Sequence, residues 1–220
     1  MMNWLGILVS YLYVGLVIIG GKLFEKKGKE ASRKFIHIML GNWWFIAMYF
    51  FTNVCFAAFV PATFIGINYL SYKKDLIKVM EREQQDGMGT VYFAIALLIL
   101  VIVSFGIYKN AALGLVPFLV MAYGDGFAAV VGKLIKSKKY KLSDSKKSFA
   151  GSVTMFVIST LLIGGYLAVT HSDVFWQTAH WPLISVMMGF VMTAVEAISG
   201  KGIDNISVPI GTLALLMLIG

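Results

Sequence analysis

Asp125 stands between two glycines in MAYGDGFAAVVGK, residues 121–133, at the end of a long apolar run. A charge inside a membrane segment costs ~2.5 kcal/mol or more unless it is paired or wet, so an acid there points to function. Gly124, Ala128 and Gly132 are spaced by four and form a small-residue face that lets another backbone approach. Gly126 is read as leaving open space beside the carboxylate, which suits a hydrated cation; an interhelical salt bridge is the structural alternative. The same letters, GDGFAA, fit the dinucleotide fingerprint, but that motif needs a preceding strand and a βαβ unit. A P-loop fails too: five residues, not four, separate Gly126 from Gly132, and Leu134 replaces the hydroxyl that would hold magnesium.

Three other stretches carry polar groups next to apolar runs. In SRKFIHIMLG, residues 32–41, Arg33, His37 and Gly41 share a helical face. Arg33 can fork onto a phosphate. Lys34 reads mainly as a flanking charge, and His37 as either a core histidine or a catalytic or phosphate-contacting group. In KLSDSKKSFAGSVTMF, residues 141–156, Lys147 and Ser148 precede a span, with Gly151 and Ser152 one turn on. A lysine with hydroxyls at a helix N-terminus makes an anion site, and the small residues leave a slot. Lys136, Lys138 and Lys139 read as a solvated loop. In EAISGKGIDNISVPIG, residues 196–211, Glu196, Gly200 and Asp204 are spaced by four, though the glycines interrupt the helix. Asp204 and Asn205 offer oxygens of the kind magnesium takes. Ser207 is read as the cap of the last helix, with Pro209 in its first turn. Asp86 and Gly87 read as a turn.

These groups need a scaffold, and composition says what kind. The chain of 220 residues is 59% hydrophobic with mean hydropathy +0.80. Apolar runs near residues 3–21, 35–51, 54–70, 90–107, 111–131, 148–169, 182–198 and 208–220 predict an all-α, polytopic membrane protein of about eight helices. Pro117 should kink the fifth run. Residues 1–220 are read as one integral membrane catalytic domain, since spans of ~20 residues leave no room for a soluble one. Alternate loops, residues 22–34, 71–89, 132–147 and 199–207, hold 18 of the 19 Lys and Arg. That bias places these loops in the cytoplasm and the N-terminus outside. It also accounts for the net charge of +8 without a nucleic-acid partner, and adds attraction to anionic membrane lipids. The first run lacks a basic leader and reads as a retained anchor. Cys55, alone, excludes an internal disulfide and reads as packing. Trp176 and Trp181 suit an interfacial belt, and His171 and His180 a surface role.

Taken together, RKFIHIMLG, YGDGFAAVVGK, KKSFAGS and IDNISVPIG resemble the dolichol kinase, phytol kinase and CTP-dependent diacylglycerol kinase family, itself similar to phosphatidate cytidylyltransferases. The resemblance runs from about Arg33 to Gly211. It implies a multi-span enzyme that phosphorylates a lipid alcohol from a nucleoside triphosphate, usually CTP. It also implies that Asp125, Lys147, Ser148, Gly151, Asp204, Asn205, Arg33 and His37 belong to the nucleotide and metal site, with Glu196 just outside the last motif. The chain has little beyond the core spans of the longer dolichol kinases. The expected chemistry is phosphoryl transfer to a membrane-embedded isoprenoid alcohol or diacylglycerol. Asp125, Asp204 and Asn205 would hold Mg²⁺, Arg33 and Lys147 would hold phosphate, and Asp125 or His37 would act as base. Nucleotidyl transfer to phosphatidate is the alternative. A transporter is a third reading, disfavoured because the outer halves of the spans carry almost no charge.

Overall fold

The computed structural model describes residues 1–74, 88–143, 146–170 and 180–219. The Asp86–Gly87 turn, His171 and Trp176 lie outside the described residues. Among the described residues the fold is all-α apart from one two-residue ladder, and the chain is a polytopic helical membrane protein. Among the described residues six helices are long and apolar enough to cross a membrane: Met2–Lys27, Val54–Lys74, Gly89–Ile107, Ala111–Leu134, Phe149–Thr170 and His180–Ile198. The other two expected spans differ in form. One is bent into two short helices, and the other is the shorter helix Asp204–Ile219.

Helix α1 (Met2–Phe24) buries a stripe of Gly6, Ser10, Val14, Val17 and Gly21. Its opposite face, with Leu8, Leu12, Leu16 and Leu23 exposed, suits lipid. Gly28, at φ 114°, turns the chain back into α2 (Lys29–Leu40), and Gly21 lets Ile36 of α2 lie against α1. The chain bends at Gly41–Asn42 before α3 (Trp43–Phe50). The joint is pinned: a Cβ on Gly41 would lie 2.7 Å from that of Ala122, and Asn42 accepts a hydrogen bond from Tyr123 at 2.8 Å. Trp44, fully buried, donates to the Ala111 carbonyl at 2.8 Å. Its ring fills the space above Gly114.

Helix α4 (Val54–Lys74) is tied to α5 (Gly89–Val101) by Asn68, which donates to the Thr90 carbonyl at 2.9 Å. The following span is not one regular helix. A 3₁₀ turn at Ala111–Gly114 leads into α6 (Leu115–Leu119), then a π-helical stretch at Val120–Asp125, then α7 (Gly126–Leu134). Pro117 falls in the first turn of α6, where its missing N–H costs little. Irregular turns lie on both sides of it, the 3₁₀ turn before and the π stretch after, and π stretches recur at functional sites. A ladder of β1 (Lys139–Tyr140) with β2 (Lys147–Ser148) then leads into α8 (Phe149–Thr170), which packs beside α9 (His180–Ile198). The last helix, α10 (Asp204–Ile219), starts at Asp204 rather than near Ser207. Lys201 and Gly202, both at positive φ, turn the chain there before Ser207 is reached.

Candidate active site

Five chain segments end at the same side of the bundle: α2, the π stretch with α7, β2, the end of α9 and the start of α10. Each brings a charged group inward. Asp125 is 8% exposed, Glu196 3% and Asp204 7%. One carboxylate oxygen from each lies within 4.8 Å of the others. Lys201 and Gly202, at positive φ between Glu196 and Asp204, turn the chain so that two acids eight positions apart meet.

Two lysines hold this cluster. Lys34 Nζ lies 2.6 Å from Asp125 Oδ2. Lys147 Nζ bonds Glu196 Oε1 and lies 3.4 Å from Asp204 Oδ2. Burial opposes the charge on Lys147, but Asp204, Glu196 and Asp125 outweigh it and hold its pKa above the usual lysine range. The β1–β2 ladder aims this lysine, pairing Tyr140 with Lys147 and Lys139 with Ser148. His37 Nε2 lies 3.4 Å from Asp125 Oδ2 and 3.3 Å from the Met121 carbonyl, with its ring edge-on to Phe93.

The three acids, Lys34 and Lys147 line a cavity of about 290 Å³, together with Lys133, Lys139, Lys146, Ser148, Gly151 and Ser152. Three carboxylates against the two lysines that touch them leave a net negative cluster. All its ligand atoms are hard oxygens, the donor set that suits Mg²⁺. The residues present therefore fit a divalent cation.

The packing explains several glycines. Gly124 lies against Met155, while Gly132 meets Ser148 and Gly151, so the small face of α7 does receive α8 closely. Gly126 differs from expectation: the place of its Cβ is occupied by Ile38, so it admits α2 rather than leaving a void. Gly151 likewise is packed, with Ala128 O 2.8 Å from where its Cβ would be. Ser148 accepts from the Gly151 amide at 3.1 Å and caps α8.

The structure places two of the expected site residues apart from the acid cluster. Arg33 pairs with Glu30 at 2.5 Å and does not reach the acids; Lys34, one position on, does. One residue along a helix is a rotation of ~100°, enough to send neighbours to different faces. Asn205 likewise parts from Asp204. Its Nδ2 donates to the Gly89 carbonyl at 3.0 Å, and it is Glu196 that completes the acid cluster. Arg33, His37 and Asn205 instead line a second, smaller cavity between α2, α4, α5 and α10. Lys139, read as a solvated loop charge, lines the larger one. The signal for Lys34 was its position three residues before His37, on the same helical face.

No protein-family model matches the chain, and no solved structure matches it. Curated relatives do. A phytol kinase of Synechocystis sp. is 29% identical over 214 residues, covering 95% of this chain and 89% of that protein. A probable chloroplastic phytol kinase of Triticum aestivum is 31% identical, covering 87% of this chain and 68% of that protein. Phytol kinase 1, chloroplastic, of Arabidopsis thaliana is 32% identical, covering 84% of this chain and 65% of that protein. The chain therefore belongs to the phytol kinase family, and it is a phosphotransferase whose acceptor is an alcohol.

Proposed function

We propose that this lipid-alcohol kinase transfers the γ-phosphoryl group of CTP to an isoprenoid alcohol of the phytol type, with Mg²⁺. The observation that carries the reading is the buried cluster of Asp125, Glu196 and Asp204, held by Lys34 and Lys147, in a cavity lined by five lysines. Phosphoryl transfer needs positioning and charge neutralisation more than covalent chemistry, and this cavity supplies both. The relatives' names support an isoprenoid alcohol over diacylglycerol. CTP rests on the four-motif resemblance.

In the proposed reaction the alcohol oxygen forms a bond to the γ-phosphorus. The bond from that phosphorus to the β,γ-bridging oxygen breaks, and CDP leaves with the electron pair. Asp125 serves Lys34 and the metal as an anion in this reading, and His37 is the group that takes the hydroxyl proton. Mg²⁺, when bound to the three carboxylates, would neutralise phosphate charge. Lys147, with Lys133, Lys139 and Lys146 around it, would hold the phosphates. The bent pair α2–α3 and α10 complete eight crossings, with the basic ends and the site at the cytoplasmic face.

The same lysines would accept a lipid phosphate, so nucleotidyl transfer to phosphatidate is the second reading. Purified protein is incubated with Mg²⁺, lipid alcohols or phosphatidate, and CTP labelled on either the α- or γ-phosphate. Label reaching an alcohol from the γ position is the expected result. Label reaching lipid from the α position would replace kinase by cytidylyltransferase. Lipid labelling from no nucleotide at all would remove both readings and leave transport.

A further inference from the structure

The smaller cavity has a different character from the acid-lined one. Leu40, Asn68 and Phe93 line it and also line a third, apolar cavity, whose other walls include Phe64, Ala94 and Leu97. The two, about 50 and 40 Å³, are therefore neighbours between α2, α4 and α5, one apolar and one polar, and we treat them as one groove. At its polar end stand Arg33, His37 and Asn205. The Asn205 amide nitrogen is committed to the Gly89 carbonyl, which fixes the orientation of the amide. Its Oδ1 is then a buried acceptor with no partner among the described residues, in a residue only 8% exposed. A buried acceptor without a donor costs about 1–3 kcal/mol, so the site favours a ligand that brings an O–H. His37, beside that acceptor, also touches Asp125 in the larger cavity. It therefore links the two sites.

We infer that this groove is the acceptor site: the head of an isoprenoid alcohol lies there, its hydroxyl between Asn205 and His37. The inference rests on the lipid-kinase reading above. The hydroxyl donates to Asn205 Oδ1 on binding. In the reaction its proton passes to His37, and its oxygen bonds to the γ-phosphorus presented from the acid-lined cavity as CDP leaves. The volumes hold only the hydroxyl end of the chain; the rest stays in lipid. Selectivity is therefore set near the head, and lengthening the tail beyond it changes little.

The test uses the full chain in lipid nanodiscs and a branched isoprenoid alcohol bearing a diazirine in its first isoprene unit. Photolabelling should mark α2, α4 and α5 around Leu40, Phe64 and Phe93, and unlabelled alcohol should compete it away. Leu40→Trp, at the junction of the two cavities, should raise KM for the alcohol about tenfold or more and leave KM for the nucleotide unchanged. The unchanged nucleotide KM shows that the variant is folded. Wild-type turnover with labelling only outside the groove, or an unchanged alcohol KM in Leu40→Trp, overturns the groove and leaves the kinase standing. Competed labelling in the groove of a protein that transfers no phosphate keeps the groove as an alcohol site and removes the kinase reading.

Discussion

Lys34 Nζ and Asp125 Oδ2 are 2.6 Å apart with both residues buried, across 91 positions of sequence. A buried pair of this kind contributes little net stability, yet breaking one half leaves the other charge stranded, at about 3–5 kcal/mol. Lys34→Met and Asp125→Asn should each lower the melting temperature in detergent. The double variant should recover much of that loss. Turnover should be abolished in Asp125→Asn and should stay absent in the double variant. Full activity in Asp125→Asn would reduce the acid to a structural role.

Glu196 and Asn205 are distinguished by magnesium. Glu196 is one of the three acids, whereas Asn205 faces the other cavity. Glu196→Gln should therefore raise the Mg²⁺ concentration for half-maximal rate about tenfold or more, whereas Asn205→Leu should leave it unchanged. A titration of Mg²⁺ at saturating nucleotide decides between them. The reverse pattern would restore Asn205 as the metal ligand.

Lys147 should keep its charge into alkaline solution. Its pKa is raised by Asp204, Glu196 and Asp125 in spite of burial. A raised lysine contributes its stabilisation fully below the unfolded value of about 10.4 and loses it only as pH rises through the higher folded value. The melting-temperature gap between wild type and Lys147→Met should thus stay level from neutral pH to about pH 10. Loss of turnover in Lys147→Gln should be about 10²-fold or more, in line with removal of a donor to developing charge.

Gly126 and Ile38 test the approach of α2 to α7. A Cβ on Gly126 would fall on Ile38. Gly126→Ala should cost about 1–3 kcal/mol from overpacking. It should also cut turnover, because α2 carries Lys34 and His37. Ile38→Ala in the same chain should restore part of both, which thermal unfolding and a rate assay would show.

Much of the site can be read from residue types alone. Asp125 and His37 are polar groups set in apolar runs, Lys147 and Asp204 stand beside such runs, and the structure does bring them together. The six long helices and the basic ends are likewise plain in composition. Finer placements are not. Arg33 and Lys34 differ by one step of helical rotation, and only the packing of α2 on α7 decides which faces the acid. The open space expected beside Asp125 is filled by Ile38, a contact 88 positions away in sequence that no local pattern encodes. The start of α10 depends on two positive-φ residues, Lys201 and Gly202, rather than on the cap expected at Ser207.

The divided wall has a further consequence. Arg33 and Asn205 face one side, and their chain neighbours Lys34 and Asp204 the other. On the proposed reading, His37 stands where the two reactants meet, and they approach it from separate cavities rather than from a shared bath. Water competes with a lipid hydroxyl as acceptor, and enclosed sites suppress such side reactions. Separate cavities of this kind would tie consumption of the nucleotide to the presence of the lipid, which a nucleotide-hydrolysis assay without alcohol would show as a low idle rate.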